Sequence, residues 1–355
     1  MKTTYYSLII SLLFISFGYS NPVLKTWKFK EEKKISKSFQ VNSDALVNIS
    51  NKYGSIFVTT WEGNSVSIEV QITVSSNSEK WVKSKIESID VEFSNSAANV
   101  KAVTIFESSN SWNSSENNSI DVKYFVKIPK MNQVVLNQKY GEIKTQTLYN
   151  KATISCKYGK VDLENLNGNN NQVSIEYCNG SSIGHFKSGV INAKYSKLNV
   201  SEFGEVQLAA DYTDVNFGKG GSITFQLDYG KLNFTQVQNV NGTGDYIGLK
   251  INELNGSLVF TTKYSSVLVD KINTQTNNIN INASYTNVKL SYPINYPFDV
   301  DVNVKYGDFS YDKSIINYTS EANGFDKKYQ GNYLKRNVNT IKIVSKYGNV
   351  SLKPL

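Results

Sequence analysis

The tripeptide Lys-Tyr-Gly recurs through the chain and constrains its fold more than any other feature. It stands in full as Lys52-Tyr53-Gly54, Lys139-Tyr140-Gly141, Lys157-Tyr158-Gly159, Lys305-Tyr306-Gly307 and Lys346-Tyr347-Gly348. Looser copies centre on Tyr177, Tyr195, Tyr212, Tyr229, Tyr246, Tyr264 and Tyr285. From Tyr140 to Tyr306 the tyrosines fall 17 to 21 residues apart, the mark of an internal repeat. Before each tyrosine, apolar residues occupy alternate places: Ile154 and Cys156, Val173 and Ile175, Ile223, Phe225 and Leu227. That period of two is a half-buried strand. After the tyrosine the apolar places become the third and fifth, as at Val161 and Leu163 or Leu232 and Phe234. Such a slip flips the faces unless the chain turns a corner, and a glycine that tolerates positive φ suits one.

Each repeat therefore predicts a strand, a corner and a second short strand. About 18 residues are too few for a strand–helix unit, which takes about 30. They fit one coil of a parallel β-solenoid, with coils stacked about 4.8 Å apart and like residues in columns. The tyrosines should then form one packed column along a coil edge, a structural stack rather than a ligand platform. The fold class expected is all-β, with a small sheet-plus-helix insertion near the N-terminus.

Composition narrows the function classes. The formal charge is +8, or +7 after subtracting Lys2 (8 − 1), and the excess is lysine. Arg336 is the only arginine. Arginine is the usual bidentate reader of phosphate and guanine, so a nucleic-acid partner is not expected. Residues 1–20 read as a secretory signal: Lys2, an apolar run from Leu8 to Phe17, then Gly18-Tyr19-Ser20. No later apolar run is long enough to span a bilayer as a helix. An exported protein is expected, in the periplasm, on the outer surface or outside the cell.

The domain reading is 1–20 signal, 21–130 lead-in, first coil and cap, and 131–355 solenoid. Residues 26–45 read as a polar lead-in. The first coil carries Val47, Ile49, Ile56 and Val58. Ser65–Val74, Ile89–Phe93, Val100–Phe106 and Ile120–Ile128 read as strands. Asn77–Ile89 reads as a short helix capped by Ser78, and Ser108–Asn118 as a loop. Residues 312–338 read as a loop-rich excursion, and Ile341–Leu352 as a last coil that closes the array.

Asn51-Lys52-Tyr53-Gly54-Ser55-Ile56, Val126-Lys127-Ile128-Pro129, Leu136 to Gly141 and the final Ser345 to Val350 together resemble the bacterial adhesin-like family of exported β-strand-repeat envelope proteins. The resemblance covers nearly all of the chain after the signal. It implies a surface ligand, a glycan or a protein, and supplies no shared catalytic residues. Cys178, Ser196, Thr213 and Ser265 depart from the glycine of the motif.

Candidate chemistry is sparse. Asp211, Asp228 and Asp245 directly precede the tyrosine in three consecutive repeats, and Asp214 lies nearby. Stacked coils would set these carboxylates about 5 Å apart. Such a cluster could hold Ca²⁺, or match the carboxylate pair of a retaining glycosidase. The plainer expectation is a solvated charge column between Lys194 and Lys263, because no calcium-loop motif accompanies it. His185 is the only histidine and has no nucleophile spacing around it. Cys156 and Cys178 fall three places out of register, which predicts two free thiols too far apart to bridge. The reading is a non-enzymatic adhesin-like or structural protein with no cofactor. The alternative is a carbohydrate-active enzyme, lyase or glycosidase, on the same scaffold.

Overall fold

The computed structural model describes residues 26–107 and 118–355. The segment read as a signal, and all but the last residue of the stretch read as a Ser108–Asn118 loop, lie outside the described residues. The described chain is nearly all β, with a single helix among the described residues and one 22-stranded sheet.

The N-terminal part holds β1 (Phe29–Gln40), β2 (Leu46–Trp61), β3 (Ser65–Ser76), α1 (Glu79–Glu87), β4 (Ile89–Ser96), β5 (Asn99–Phe106) and β6 (Asn118–Pro129). The polar lead-in is thus largely a strand. β1 pairs antiparallel with β3 along its whole length, and β3 pairs antiparallel with β6. Lys30, Lys33, Lys34 and Lys37 stud β1, a charged edge of the kind that resists further pairing. α1 begins at Ser78, whose hydroxyl accepts the Trp81 N–H, and it buries Val82. β5 and β6 lie parallel to the two halves of β2, so this sheet-plus-helix block covers one side of the first repeat.

On its other side β2 pairs in parallel with β7 (Gln133–Thr145), and β7 with β8 (Ala152–Leu166). Ile49 faces Leu136, which faces Ile154; Ile56 faces Ile143, which faces Val161. The parallel pattern continues repeat by repeat, for example Ile175 on Ala193 through the register of Val173 on Ile191, and Phe260 on Ile281. Inward residues thereby form apolar columns that are almost wholly buried.

The C-terminal end departs from the expected order. Thr340–Lys346 lies between Asn278–Ser284 and Phe298–Lys305: Ile343 faces Ile281 on one side and Val302 on the other. Val350–Pro354 lies likewise between Asn287–Tyr292 and Phe309–Tyr311. The last segment is therefore an interior layer, not a closing coil. Closure comes from the stretch read as a loop-rich excursion. Ile316–Asn323 and Asp326–Tyr333 form a hairpin, and its second strand pairs antiparallel with Phe298–Lys305. Gly324, at φ +59, supplies the left-handed turn. The sheet is mixed as a result, parallel within and antiparallel at both ends.

Candidate functional site

The corner of every repeat is made by the tyrosine, not by the residue after it. Twelve tyrosines, from Tyr53 to Tyr347, hold φ between 48° and 63°. This left-handed backbone costs a non-glycine residue about 1–2 kcal/mol. It lets two successive side chains face outward, and that is how the phase slip is absorbed. The strain is offset by stacking. The rings run in the order Tyr53, Tyr140, Tyr158, Tyr177, Tyr195, Tyr212 and onward through Tyr229, Tyr246, Tyr264 and Tyr285 to Tyr347 and Tyr306. Successive centroids lie 4.6–5.3 Å apart with interplanar angles of 3–10°. Tyr347 sits between Tyr285 and Tyr306, so the ladder records the inserted last segment.

The glycines have another task. A Cβ on Gly159 would lie 1.7 Å from the Gly141 carbonyl oxygen, so the close approach of neighbouring backbones requires glycine there. Ile247 takes this place with a buried apolar side chain, and where a hydroxyl takes it the side chain bonds the backbone. Ser196 Oγ donates to Lys194 O (2.7 Å) and accepts the Cys178 N–H (3.0 Å). Thr213 Oγ1 donates to Asp211 O (2.8 Å) and accepts the Ser196 N–H (3.3 Å). Ser265 and Thr286 repeat the pattern, Ser265 accepting the Ile247 N–H and Thr286 the Ser265 N–H. The hydroxyl departures from glycine thus form two short runs behind the tyrosines, Ser196 with Thr213 and Ser265 with Thr286, separated by Gly230 and Ile247.

Cys178 occupies the same place in its repeat, its thiol donating to Glu176 O and Cys156 O at 3.3 Å. Both cysteines are free and buried, but the expectation that they are far apart fails. The inward turn at the corner sets Cys178 Sγ 3.3 Å from the Cys156 backbone oxygen. The neighbouring Cys178 thiol and burial hold the Cys156 proton on, while Cys156 lowers the pKa of Cys178 to about 7.

The ladder is exposed along its edge. From Tyr140 onward each ladder tyrosine keeps 40–49% of its residue surface exposed. Its faces are taken by the neighbouring rings, and at the ends by Phe106 edge-on to Tyr53 and by Phe325 against Tyr306. What it presents to solvent is ring edges and phenol hydroxyls at the sheet spacing. Lys139, Lys157, Lys305 and Lys346 reach over the ring that follows each of them, at 5.1–5.7 Å. A sugar or base therefore finds no free ring face for stacking.

The aspartates flank the middle of this ladder. Asp228 Oδ1 accepts the Asp245 N–H (2.9 Å), and Asp245 Oδ1 accepts the Lys263 N–H (2.8 Å). Two of the four candidate carboxylates thus bond the backbone of the next repeat, an arrangement invisible in the sequence. Asp211 pairs with Lys194 in the strand register and Asp214 donates its N–H to Ser196 O. Among the described residues no group of three or more His, Cys, Asp or Glu side chains is placed to hold a metal ion. His185 lies in a strand, half exposed, with Nδ1 3.8 Å from a Glu202 carboxylate oxygen.

Substitution at one ladder position separates stacking from strain. Tyr212→Gly loses two stacks worth about 0.5–1.5 kcal/mol each but relieves the left-handed backbone, so its net cost should stay within about 1 kcal/mol. Tyr212→Val loses the stacks and keeps a backbone that β-branched residues resist, an expected cost of about 2–4 kcal/mol. Denaturant unfolding of both variants checks this, and equal losses would show that strain is negligible.

The fold and ladder define a nearly all-β repeat protein with an exposed tyrosine edge. No family model matches the chain, and no curated protein matches it. It aligns with a solved structure described as a "putative cell adhesion protein" from Clostridium sporogenes at 11% identity, over 92% of this chain and 100% of that one, with TM-score 0.20. A "putative adhesin" from Parabacteroides distasonis aligns at 10% identity over 91% and 97%, with TM-score 0.32. A "putative lipid binding protein" from the same species aligns at 8% over 90% and 96%, with TM-score 0.28. These likenesses are too remote to bear on function. Among the described residues no helix is long and apolar enough to cross a membrane.

Proposed function

We propose that the chain is an exported, non-enzymatic cell-envelope protein, an adhesin-like β-solenoid that holds long side walls for binding. In this reading residues 1–20 direct export, 21–130 carry the lead-in, first coil and cap, and 131–355 form the solenoid. The observation that supports it is the tyrosine ladder. Twelve residues accept a strained backbone, and what they create is a regular outer edge of stacked rings. Parallel register at one repeat per layer suits a coil that stacks on itself. A regular wall favours a repetitive ligand, because many weak contacts add along it.

The test is location together with chemistry. Intact cells of the producing organism are treated with a protease that cannot enter them, in parallel with periplasmic fractions, and the protein is followed by immunoblot. It should appear in the periplasmic fraction or be cut from the surface. Purified protein incubated with a polysaccharide panel should release neither reducing ends nor unsaturated sugars. Recovery only from the cytosol overturns the reading, and steady sugar release establishes the carbohydrate-active alternative.

A further inference from the structure

The two walls that meet at the tyrosine ladder differ in charge. On the strand after the tyrosine, Lys144 pairs with Asp162, Lys160 with Glu142 and Lys250 with Asp270. On the strand before it, from Tyr140 to Tyr285, neither the third nor the fifth place ahead of any ladder tyrosine is charged. Those places point outward and hold mostly amides and hydroxyls, such as Gln172, Asn192, Gln207, Thr224, Asn241 and Thr261, with Val135, Val190, Ala209 and Val259 among them. Charges flank these places: the residue directly ahead of each tyrosine from Tyr140 to Tyr264 is Lys, Asp or Glu, Glu205 and Lys151 stand two places further out, and Lys342 and Asp301 follow past Tyr285.

Both walls carry shallow depressions, and those of the other wall are lined by charged side chains such as Lys144, Asp162 and Glu164. On this wall one depression is lined by Gln172, Val190, Glu205, Gln207 and Thr224, and a second by Gln207, Thr224, Asn241 and Thr243. Because they share Gln207 and Thr224, they form one shallow trough across successive repeats. Leu208 and Phe225 reach its floor. A slightly apolar floor with a rim of groups that both donate and accept hydrogen bonds matches a sugar ring, which carries C–H faces and hydroxyl edges. Layers about 4.8 Å apart, with side chains about 6.7 Å apart along each strand, repeat this pattern.

We propose that the trough on this wall binds a neutral glycan chain, a deepening that rests on the adhesin-like reading above. Neutrality follows from the trough's lining, whose one charged side chain, Glu205, would repel a polyanion. A polyanion would need cations to replace its counterions, and no lysine lines the trough. A second copy of the chain is disfavoured as occupant, because stable protein interfaces have an apolar, often aromatic centre and this wall offers amides.

The test uses the full chain after export and electrophoresis through gels containing a neutral β-glucan, a mannan or polygalacturonate. At least one neutral polymer should retard the protein, in a manner insensitive to salt, and its oligosaccharides should bind more tightly as they lengthen. The double variant Gln207→Ala/Thr224→Ala loses two hydrogen-bonding groups and should weaken binding about tenfold or more. Lys289→Ala, on the other wall, should leave it unchanged. Retardation by polygalacturonate alone, lost in salt, overturns the inference, as does neutral binding untouched by the double variant. Self-association abolished by Thr224→Lys would assign the wall to a second copy and overturn it too. In each of these cases surface cleavage in intact cells still stands as the separate measure of the adhesin-like reading.

Discussion

A chain ended after Asn339 is expected to lose its cooperative C-terminal half rather than fray by one coil. Ile341, Ile343, Val350 and Leu352 are each no more than 1% exposed. Burying four such side chains is worth about 6–12 kcal/mol as an upper estimate, comparable to the whole stability of an ordinary domain. The layer they belong to has two neighbours, so its removal uncovers the apolar column of the Tyr285 repeat and that of the Tyr306 repeat together. It also breaks the ladder between those tyrosines. Two open edges beside two apolar surfaces favour association between molecules. Thermal unfolding should move down sharply, and sedimentation should show aggregates. A synthetic peptide of residues 340–355, added during refolding, should restore both. A truncated monomer that melts with the parent would show that the Tyr285 and Tyr306 repeats can stack directly.

Alkaline pH should unfold the protein well before its lysines titrate fully. Burial pushes the Tyr124 phenol up against the small opposing pull of its hydrogen bond to Thr104, and burial alone raises Tyr296, which donates to Thr276 O at 2.9 Å. Tyr292 is pushed up to about 12, by burial first and then by Tyr333 and Asp312. In the unfolded chain these phenols titrate near pH 10. Between about pH 10 and the folded values the unfolded state binds fewer protons, so stability falls as pH rises. The contribution is intact below about pH 10 and, for Tyr292, is lost by about pH 12. Among the ladder rings, Tyr212 and Tyr285 are raised by desolvation and then by neighbouring groups. Melting temperature measured against pH should drop steeply above about pH 10. Phenolate absorbance should show exposed rings titrating first and the buried three appearing with unfolding. Complete titration with intact circular dichroism would contradict this account.

The sequence by itself determined the repeat, the period-two strands, the inward apolar columns and the single column of tyrosines. These are local patterns, repeated often enough that one alignment exposes which side of the strand is wet. The α1 helix was legible for the same reason, through Ser78 and the spacing of Trp81, Val82 and Ile86. Tertiary structure alone decided the order of layers. Interfaces between repeats are nearly alike, so the pattern of Ile341 to Leu352 says that it is a layer but not which two layers it lies between. The lysine-rich strand from Phe29 to Gln40 was hidden because an edge strand can be polar on both faces. The left-handed corner was assigned in sequence to glycine, the residue that adopts it most readily. It falls instead on tyrosine, because each ring gains from stacks on both sides, contacts that exist only once the neighbouring repeats are in place. The same corner turns Cys178 inward onto Cys156, and turns Asp228 and Asp245 into acceptors for the next backbone. Local propensity describes one residue at a time, whereas these positions are settled by partners 17 to 22 residues away along the chain.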